Sequence, residues 1–207
     1  MPHQPYMVSL GFTDQRIPAG AHLCQIFSDD DERSDALLKF LRSGLAAGEK
    51  TACFTEKLNM AHLAEYLAGH GMPCDKLMQS GALSKAGTSE AYFQSGRFDP
   101  DLMLDLLRQF HKDSVAGGFS AARVIGEMTE EIENIPGGSR LMEYESRVSM
   151  LLKEIPITAV CQYDANVFDG ATIMRILKVH PMMLIRGRVV HNPCYVPAEE
   201  FLAHHCG

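Results

Sequence analysis

The sequence predicts an α/β protein with a mostly parallel central sheet, helices on both faces of that sheet and a β-hairpin near the C-terminus. Short apolar runs of strand length alternate with segments whose apolar residues recur at helical spacing. Glycine or proline stands near most points where one type of segment gives way to the other. Because this alternation joins most strands through helices, it favours parallel strands with crossover connections.

In the first half of the chain, strands are predicted at residues 22–27 and 50–54. Each is followed by a segment of helical periodicity that ends near a glycine. A less regular stretch from Pro73 to Arg97 contains two short candidate strands, at residues 82–84 and 91–93.

The second half continues the pattern with longer elements. In order, we predict a helix beginning at Pro100 and stopped by Gly117 and Gly118, a strand at 121–126, an amphipathic helix at about 139–153, a strand at 157–163, a short helix after Gly170, and a hairpin formed by Met182–Ile185 and Val189–Val190. The strand at 157–163 is apolar almost throughout, which indicates burial on both faces.

Composition places the chain among folded proteins and disfavours two kinds of partner. Its 207 residues are 46% hydrophobic and 22% charged, and the formal net charge is -7. These values are typical of a globular domain and argue against a large nucleic-acid-binding surface. The chain lacks an apolar stretch long enough for a membrane span and a signal-peptide pattern, and its six cysteines form no CxxC pair. We therefore predict a cytoplasmic protein with reduced thiols and no direct membrane partner.

One string resembles a phosphate-binding loop. Residues 44–51 approach the pattern GxxxxGK[ST], but they end a predicted helix and enter a strand, whereas a phosphate loop runs from a strand into a helix. After the first strand, where such a loop belongs, stands the acidic segment Ser28–Glu32. Its carboxylates repel a triphosphate, so the sequence disfavours an NTPase.

Polar residues at strand ends are the candidate ligand contacts, because open α/β sheets bind ligands beyond the carboxyl ends of their strands. Glu127 directly follows an apolar strand and is predicted either as a buried ligand-binding acid or as a capping or salt-bridged carboxylate, paired with Arg123 or Arg147. These two interpretations stay open. Asp164 is predicted chiefly as a helix cap or turn former.

The cysteines and the C-terminal histidines are weaker candidates. Cys24, Cys53 and Cys161 lie inside predicted strands, where packing is a more common role than binding a metal. The residue types near the C-terminus that suit zinc are Cys194, His204, His205 and Cys206, although their spacing matches no compact zinc finger. No catalytic motif is present, so we expect no catalytic residue, no metal and no cofactor.

Six segments form an ordered pattern: HLCQIF (22–27), FLRSGLAAGEKTACFTE (40–56), RVIGEM (123–128), EYESR (143–147), CQYDANVF (161–168) and HPMMLIRGRVVHNPCYVP (180–197). Together they resemble the MEDS family, the methanogen/methylotroph, DcmR sensory domain, over about residues 20–197. The family-like positions are His22, Cys24, Phe27, Gly126, Glu127, Met128, Tyr144, Glu145, Tyr163, Asp164, Asn192, Pro193 and Tyr195.

The resemblance implies a RecA/KaiC-like three-layer sandwich that lacks nucleotide hydrolysis and senses small molecules such as hydrocarbon derivatives. We therefore predict an N-terminal extension (1–19), a sensory domain (20–197) and a C-terminal tail (198–207). Because neither flank has the length of an effector domain, we expect the signal to pass in trans to a transcription regulator or histidine kinase, or through a homo-oligomer.

The predicted function is a non-enzymatic sensory module for a small organic ligand, a hydrocarbon or one-carbon derivative. The alternatives are a nucleotide-binding or hydrolytic enzyme of RecA-like descent that uses Glu127, and a scaffolding protein without a ligand. The predicted ligand-binding residues are His22, Cys24, Phe27, Glu127, Met128, Tyr163 and Asp164.

Overall fold

The computed structural model describes residues 6–93 and 96–205, apart from the side chain of His205. The strands are β1 (Met7–Ser9), β2 (Arg16–Pro18), β3 (His22–Phe27), β4 (Lys50–Phe54), β5 (Leu83–Ala86), β6 (Ala122–Met128), β7 (Ile157–Asp164), β8 (Met182–Ile185) and β9 (Arg188–His191). The helices are α1 (Asp30–Ala46), α2 (Met60–Ala68), α3 (Cys74–Gln79), α4 (Thr88–Tyr92), α5 (Pro100–Ala116), α6 (Leu141–Glu154), α7 (Gly170–Val179) and α8 (Ala198–His205), with short 3-10 helices at Glu130–Asn134 and Gly138–Arg140.

The central sheet has seven strands in the order β5-β4-β6-β7-β3-β8-β9. All its neighbouring pairs are parallel except β8 and β9, which form an antiparallel hairpin. Every residue of β6 is buried, as expected for a strand covered on both faces. The predicted mostly parallel sheet and the C-terminal hairpin are confirmed.

Side chains at the helix starts explain why most helices begin where the sequence predicts. Asp29 accepts a hydrogen bond from the backbone N–H of Asp31 at the start of α1. Asp99 caps α5, and Pro100 occupies the first turn, where its missing N–H costs nothing. Asp169 caps α7 in the same way. Local capping therefore fixes these boundaries.

The region between α2 and α5 contains the main correction to the predicted elements. Residues 91–93, predicted as a strand, instead end the helix α4, and α3 was not predicted. Glu56, from the end of β4, accepts a hydrogen bond from the backbone N–H of Ser89 at 3.1 Å and so caps α4. A β-carbon at residue 87 would collide with Glu56 Oε1, so glycine at this position leaves room for the carboxylate. A cap supplied from another element leaves no local sequence signal.

The two faces of the central sheet carry separate apolar clusters. The α1 face lies under α1 and α2 and includes Leu37, Leu41 and Leu63. The α6 face lies under α5, α6 and α7 and includes Leu107 and Val148. Side chains of one strand alternate between these faces.

Both segments that flank residues 20–197 pack on the domain. Strands β1 and β2 pair with each other and bury Val8 and Ile17 in the cluster of the α1 face. Helix α8 buries Phe201 in the cluster of the α6 face. Across the described residues, every helix is too short or too polar to cross a bilayer.

Candidate functional site

Four side chains of types that bind metals converge on the α6 face. We call them the His–Glu–Cys cluster: His22 on β3, Cys161 on β7, Glu145 on α6 and His180 directly after α7. Strands β3 and β7 are parallel neighbours, so His22 and Cys161 reach the same face of the sheet two positions apart in register. Helix α6 lies over them and presents Glu145.

The potential ligand atoms of the cluster all lie within 4.8 Å of one another. Glu145 Oε2 is 3.3 Å from His22 Nε2 and 3.5 Å from His180 Nε2. Cys161 Sγ is 3.4 Å from His22 Nε2 and 3.6 Å from Glu145 Oε2. Both histidines and the glutamate are at most 2% exposed, so these contacts form away from bulk water.

Three further groups hold the cluster in position. His180 Nδ1 is 2.8 Å from the carbonyl oxygen of Ile176, and His22 Nδ1 is 2.8 Å from the hydroxyl of Ser149. Tyr163 donates a 2.6 Å hydrogen bond from its hydroxyl to Glu145 Oε1. The orientation of each imidazole and of the carboxylate is therefore fixed by contacts outside the cluster.

Burial controls the protonation of these groups. Burial, followed by the neighbouring imidazole of His180, lowers the pKa of His22 to about 4. Burial acts to raise the pKa of Glu145, but the imidazoles of His180 and His22 outweigh it and hold this pKa below its usual range. Burial also raises the pKa of the Cys161 thiol well above its usual value. Without a cation, the thiol keeps its proton and donates a hydrogen bond to Glu145 Oε2.

A largely apolar cavity adjoins the cluster. It has a volume of about 290 Å³ and lies between the sheet and the helices α4, α5 and α6. Aromatic and aliphatic side chains dominate its wall, among them Phe54, Tyr92, Leu106, Leu107, Phe110 and Val148. Such a wall with few polar groups is typical of sites for small organic ligands.

Cys161 belongs both to the cavity wall and to the His–Glu–Cys cluster. Its neighbour on β6, Gly126, also lines the cavity. The Tyr92 hydroxyl lies where a β-carbon of residue 126 would stand, so glycine at this position makes room for the tyrosine. The adjacent strands β6 and β7 therefore both contribute to the cavity wall, and one wall residue, Cys161, belongs to the cluster.

Glu127 lies on the opposite side of the sheet and is paired there. Its Oε2 accepts a 2.8 Å hydrogen bond from the Thr55 hydroxyl, and its Oε1 is 2.7 Å from Lys57 Nζ. The same ammonium is 3.6 Å from Asp164 and lies over the Phe27 ring. Of the two interpretations of Glu127, the salt-bridged carboxylate matches these contacts, with Lys57 as its cation.

The two arginines predicted to pair with Glu127 have other partners. Arg123 forms two hydrogen bonds with Glu49, and Arg147 contacts Asp101 and Glu143. The predicted pairing with Arg123 or Arg147 is therefore wrong. Closeness in sequence is a poor guide to pairing here. Arg123 on β6 points toward α1, and Arg147 lies on the solvent-facing side of α6.

The predicted ligand-binding residues do not form one site. Glu127 and Met128 are consecutive in β6, so they point to opposite faces. Cys24, Met128 and Tyr163 lie with His22 on the α6 face, whereas Phe27 contacts Lys57 beside Glu127. Asp164 accepts a 2.9 Å hydrogen bond from the backbone N–H of Asn166, which confirms it as a turn former.

Glu145 and His180 were not selected as site residues from the sequence. A usable signal existed for Glu145, because it occupies the buried face of α6, between Leu141 and Val148, where a charge is costly. His180 carries no comparable signal, because it follows a short helix and looks like an ordinary linker residue.

The other cysteines behave as buried or linker thiols. The described cysteines, Cys24, Cys53, Cys74, Cys161 and Cys194, are all free. Burial raises the pKa of Cys24 and of Cys53 to about 12, which agrees with the packing role predicted for them. In the C-terminal group, Cys206 and the side chain of His205 lie outside the described residues.

The strand-to-turn segment after β3 lacks the features of a phosphate loop. The first turn of α1 carries Asp30, Asp31 and Glu32. Residues 44–51 end α1 and enter β4, as predicted. A helix start with three carboxylates cannot receive a triphosphate as the bare backbone amides of a phosphate loop do.

Comparison with solved structures defines the class of protein: an α/β domain with a RecA/KaiC-like fold. The crystal structure of a KaiC-like protein from Pyrococcus horikoshii OT3 is 14% identical, with a TM-score of 0.60 over 87% of this chain and 80% of that chain. The crystal structure of the flagellar accessory protein FlaH from Methanocaldococcus jannaschii is 12% identical, with a TM-score of 0.64 over 94% of this chain and 92% of that chain. Identities this low show the fold alone.

Within this class, the chain belongs to the MEDS family, the methanogen/methylotroph, DcmR sensory domain, whose sequence model matches residues 21–181. A similar curated protein is the transcriptional repressor DcmR of Methylorubrum extorquens (strain DSM 6343 / CIP 106787 / DM4), which is 26% identical over 160 residues. The match covers 77% of this chain but only 57% of the repressor, so the chain spans little more than half of that relative. These matches support a sensory or regulatory role.

Proposed function

We propose that the protein is a non-enzymatic sensory module that binds a small, mostly apolar organic molecule, a hydrocarbon or one-carbon derivative. The ligand occupies the cavity between the sheet and helices α4, α5 and α6. The observation that carries this proposal is the aromatic and aliphatic wall of that cavity, on the same face as the buried His–Glu–Cys cluster.

The size of the cavity supports a small ligand. Pockets that hold drug-sized molecules have volumes of roughly 300–1,000 Å³. At about 290 Å³, this cavity falls at the lower end of that range. The wall supplies few polar groups, chiefly the Tyr92 hydroxyl and the Cys161 thiol in its interior and Glu90, Gln109 and Asp113 on the helices that border it. Apolar burial therefore provides most of the affinity, and one or two polar contacts provide orientation.

The signal passes in trans to a transcription regulator or a histidine kinase, or through self-association of the chain. The similarity to a protein named as a transcriptional repressor supports a regulatory output. The free state of the described cysteines supports action in the reducing cytoplasm. The acidic first turn of α1 supports a sensor over a nucleotide-hydrolysing relative of RecA.

A pair of leucine variants on α5 tests the cavity. Leu106 is 39% exposed and lines the cavity, whereas Leu102 is 44% exposed on the same helix and does not line it. Leu106→Trp is expected to fill the cavity entrance, and Leu102→Trp adds the same ring to open surface. Benzene and a graded series of chlorinated and hydroxylated short-chain hydrocarbons serve as probes in thermal-shift and calorimetric titrations.

We expect at least one probe to raise the melting temperature of the wild type and of Leu102→Trp, and to lose this effect in Leu106→Trp. Equal responses of the two variants would place binding outside the cavity. The absence of any stabilising probe would contradict the sensory assignment of this cavity.

A further inference from the structure

The geometry of the His–Glu–Cys cluster points to a function that goes beyond ligand binding in the cavity. We propose that His22, Glu145, Cys161 and His180 bind a divalent transition-metal ion, and that zinc fits their arrangement best. Each residue offers one ligand atom, and the four atoms lie within 4.8 Å of one another. This proposal gives Cys161 a metal-binding role, whereas the sequence predicts a packing role for it.

Four of the six separations among these atoms match the edges of a tetrahedral zinc site. Zinc binds nitrogen and oxygen at about 2.0–2.1 Å and sulfur at about 2.3 Å, so its ligand atoms lie about 3.3–3.6 Å apart. The measured separations from Glu145 Oε2 to the two imidazole Nε2 atoms are 3.3 and 3.5 Å. Those from Cys161 Sγ to His22 Nε2 and to Glu145 Oε2 are 3.4 and 3.6 Å. Four edges of the tetrahedron are therefore already formed.

The hydrogen bonds outside the cluster set the tautomer of each imidazole. The carbonyl oxygen of Ile176 can only accept, so His180 carries its proton on Nδ1. The Ser149 hydroxyl donates its only proton to the carbonyl oxygen of Val179, so it accepts from Nδ1 of His22. With its proton on Nδ1, each ring directs its Nε2 at the Glu145 carboxylate.

Two lone pairs facing a carboxylate repel one another unless a cation lies between them. Within the described residues, His180 Nε2 is buried and has no hydrogen-bond partner. A buried polar atom without a partner is rare in folded proteins and calls for a ligand. A metal ion satisfies this atom, the second imidazole and the carboxylate at once.

The surrounding contacts are of the kind that supports metal ligands. Metal-binding histidines donate their other ring N–H to a carbonyl, a carboxylate or a hydroxyl, and metal-binding carboxylates accept further hydrogen bonds. His180 and His22 follow this rule through Ile176 and Ser149, and Glu145 follows it through the Tyr163 hydroxyl. The mixture of nitrogen, sulfur and oxygen donors excludes calcium and magnesium, which bind oxygen, and suits zinc.

Metal content and cobalt substitution test the site without any organic ligand. We expect the purified protein to hold one equivalent of zinc by elemental analysis, removable by a chelator and restored by added zinc. Cobalt in the stripped protein is expected to give the intense visible bands of tetrahedral coordination and a sulfur-to-cobalt charge-transfer band. These readouts are independent of the cavity, so the metal site and the sensory proposal can fail separately.

Two cysteine variants separate the ligand from its neighbour. Cys24 and Cys161 are in register on adjacent strands and reach the same face, but Cys24 is not part of the cluster. Cys161→Ser is expected to remove the charge-transfer band and to weaken zinc binding more than about 100-fold, whereas Cys24→Ser retains both. Ser149→Ala, which removes only a supporting contact, is expected to weaken binding by about 10–100-fold.

Circular dichroism of each stripped variant verifies its fold, and His180→Ala provides a second ligand variant should Cys161→Ser fail to fold. A double variant, Cys194→Ser with Cys206→Ser, checks for metal held near the C-terminus. Retention of zinc by Cys161→Ser and His180→Ala, or its loss in the double variant alone, would overturn the proposal. So would a wild-type protein that takes up neither zinc nor cobalt.

Discussion

Two buried glutamates lie on opposite sides of the central sheet, and their carboxylates contact different kinds of basic side chain. Glu49 and Glu145 are each 1% exposed. Glu49 accepts two hydrogen bonds from the Arg123 guanidinium, at 2.6 and 2.7 Å, in a bidentate pair. The ion-pair contacts of Glu145 within the described residues are to the imidazoles of His22 and His180. The carboxylate of Glu49 thus faces a permanent cation, whereas that of Glu145 faces two imidazoles, whose charge depends on their protonation.

This difference separates a charge that is already paired from one whose pairing depends on the protonation of its neighbours. An arginine stays protonated at all ordinary pH values, so the Glu49–Arg123 pair is complete without any further component. An imidazole can present either a proton or a lone pair to its neighbour. The charge that Glu145 faces therefore depends on whether each imidazole binds a proton. Burial alone therefore does not distinguish the two carboxylates, whereas the nature of their partners does.

The largest loss of stability is expected from breaking the buried ion pair between Glu49 and Arg123. Arg123→Met leaves the Glu49 carboxylate buried without a cation and should lower the free energy of unfolding by about 3–5 kcal/mol. Urea denaturation measures this loss. Arg108→Met is the matched control, because Arg108 pairs with Asp105 on open surface and should cost less than about 1 kcal/mol. Equal losses in the two variants would show that burial of the Glu49 pair is unimportant.

A smaller and metal-dependent effect is expected at the other glutamate. Zinc at about 100 times its dissociation constant should raise the free energy of unfolding of the wild type by about 2.7 kcal/mol. Glu145→Gln should fold in the presence of a chelator but lose most of this gain, because it removes the charged ligand. Glu154→Gln, at an exposed position of the same helix, should keep the gain. An undiminished gain in Glu145→Gln would contradict the role of this carboxylate.

The cavity makes the α6 face more tolerant of added volume than a filled core. Gly126→Ala places a methyl group against the hydroxyl of Tyr92, which lines the cavity and can shift into it. We expect a loss of about 1 kcal/mol, the lower end of the usual cost of overpacking, together with weaker probe binding. Gly170→Ala, where a β-carbon meets no atom within 4 Å, is the control for thermal unfolding. A loss well above 3 kcal/mol would indicate that the tyrosine cannot move.

The smallest effect is a pH dependence on the α1 face. A hydrogen bond from Arg33 lowers the pKa of Asp30, so the ionised carboxylate stabilises the fold above the unfolded pKa of about 4. This stability disappears as the pH falls through the lowered pKa. Asp30 is 61% exposed, so solvent reduces the effect to a few tenths of a kcal/mol. Urea midpoints of wild type and Asp30→Asn should differ at pH 6 and converge once the pH falls below the lowered pKa of Asp30. A constant difference would assign the effect to another group.

Much of the fold could be predicted because its signals are local. The apolar run of β7 and the Asp99–Pro100 start of α5 lie within a few consecutive residues. Helix α4 could not be predicted from local sequence, because its cap, Glu56, comes from another element. Glu127 was selected from its position at a strand end, and the partner that neutralises it, Lys57, lies on a different loop.

The candidate site was harder to predict than the fold because no two of its four side chains are close in sequence. The family-like segments contain all four residues of the cluster, but nothing in the sequence indicates that they touch. Only the fold brings His180, at the end of α7, next to His22 on β3. Convergence of distant side chains is a property of the topology, which periodicity cannot supply.

The sequence separations within the His–Glu–Cys cluster also determine when the cluster forms during folding. His22 and Cys161 are 139 residues apart and meet only after β3 has paired with β7. Such non-local parallel pairing has a high contact order and is intrinsically slow, because a long loop must close before any contact forms. Newly made chains are therefore expected to acquire the geometry of the cluster late, after the helices have formed. Metal uptake during refolding will then lag behind the recovery of helical circular dichroism and report the completed sheet.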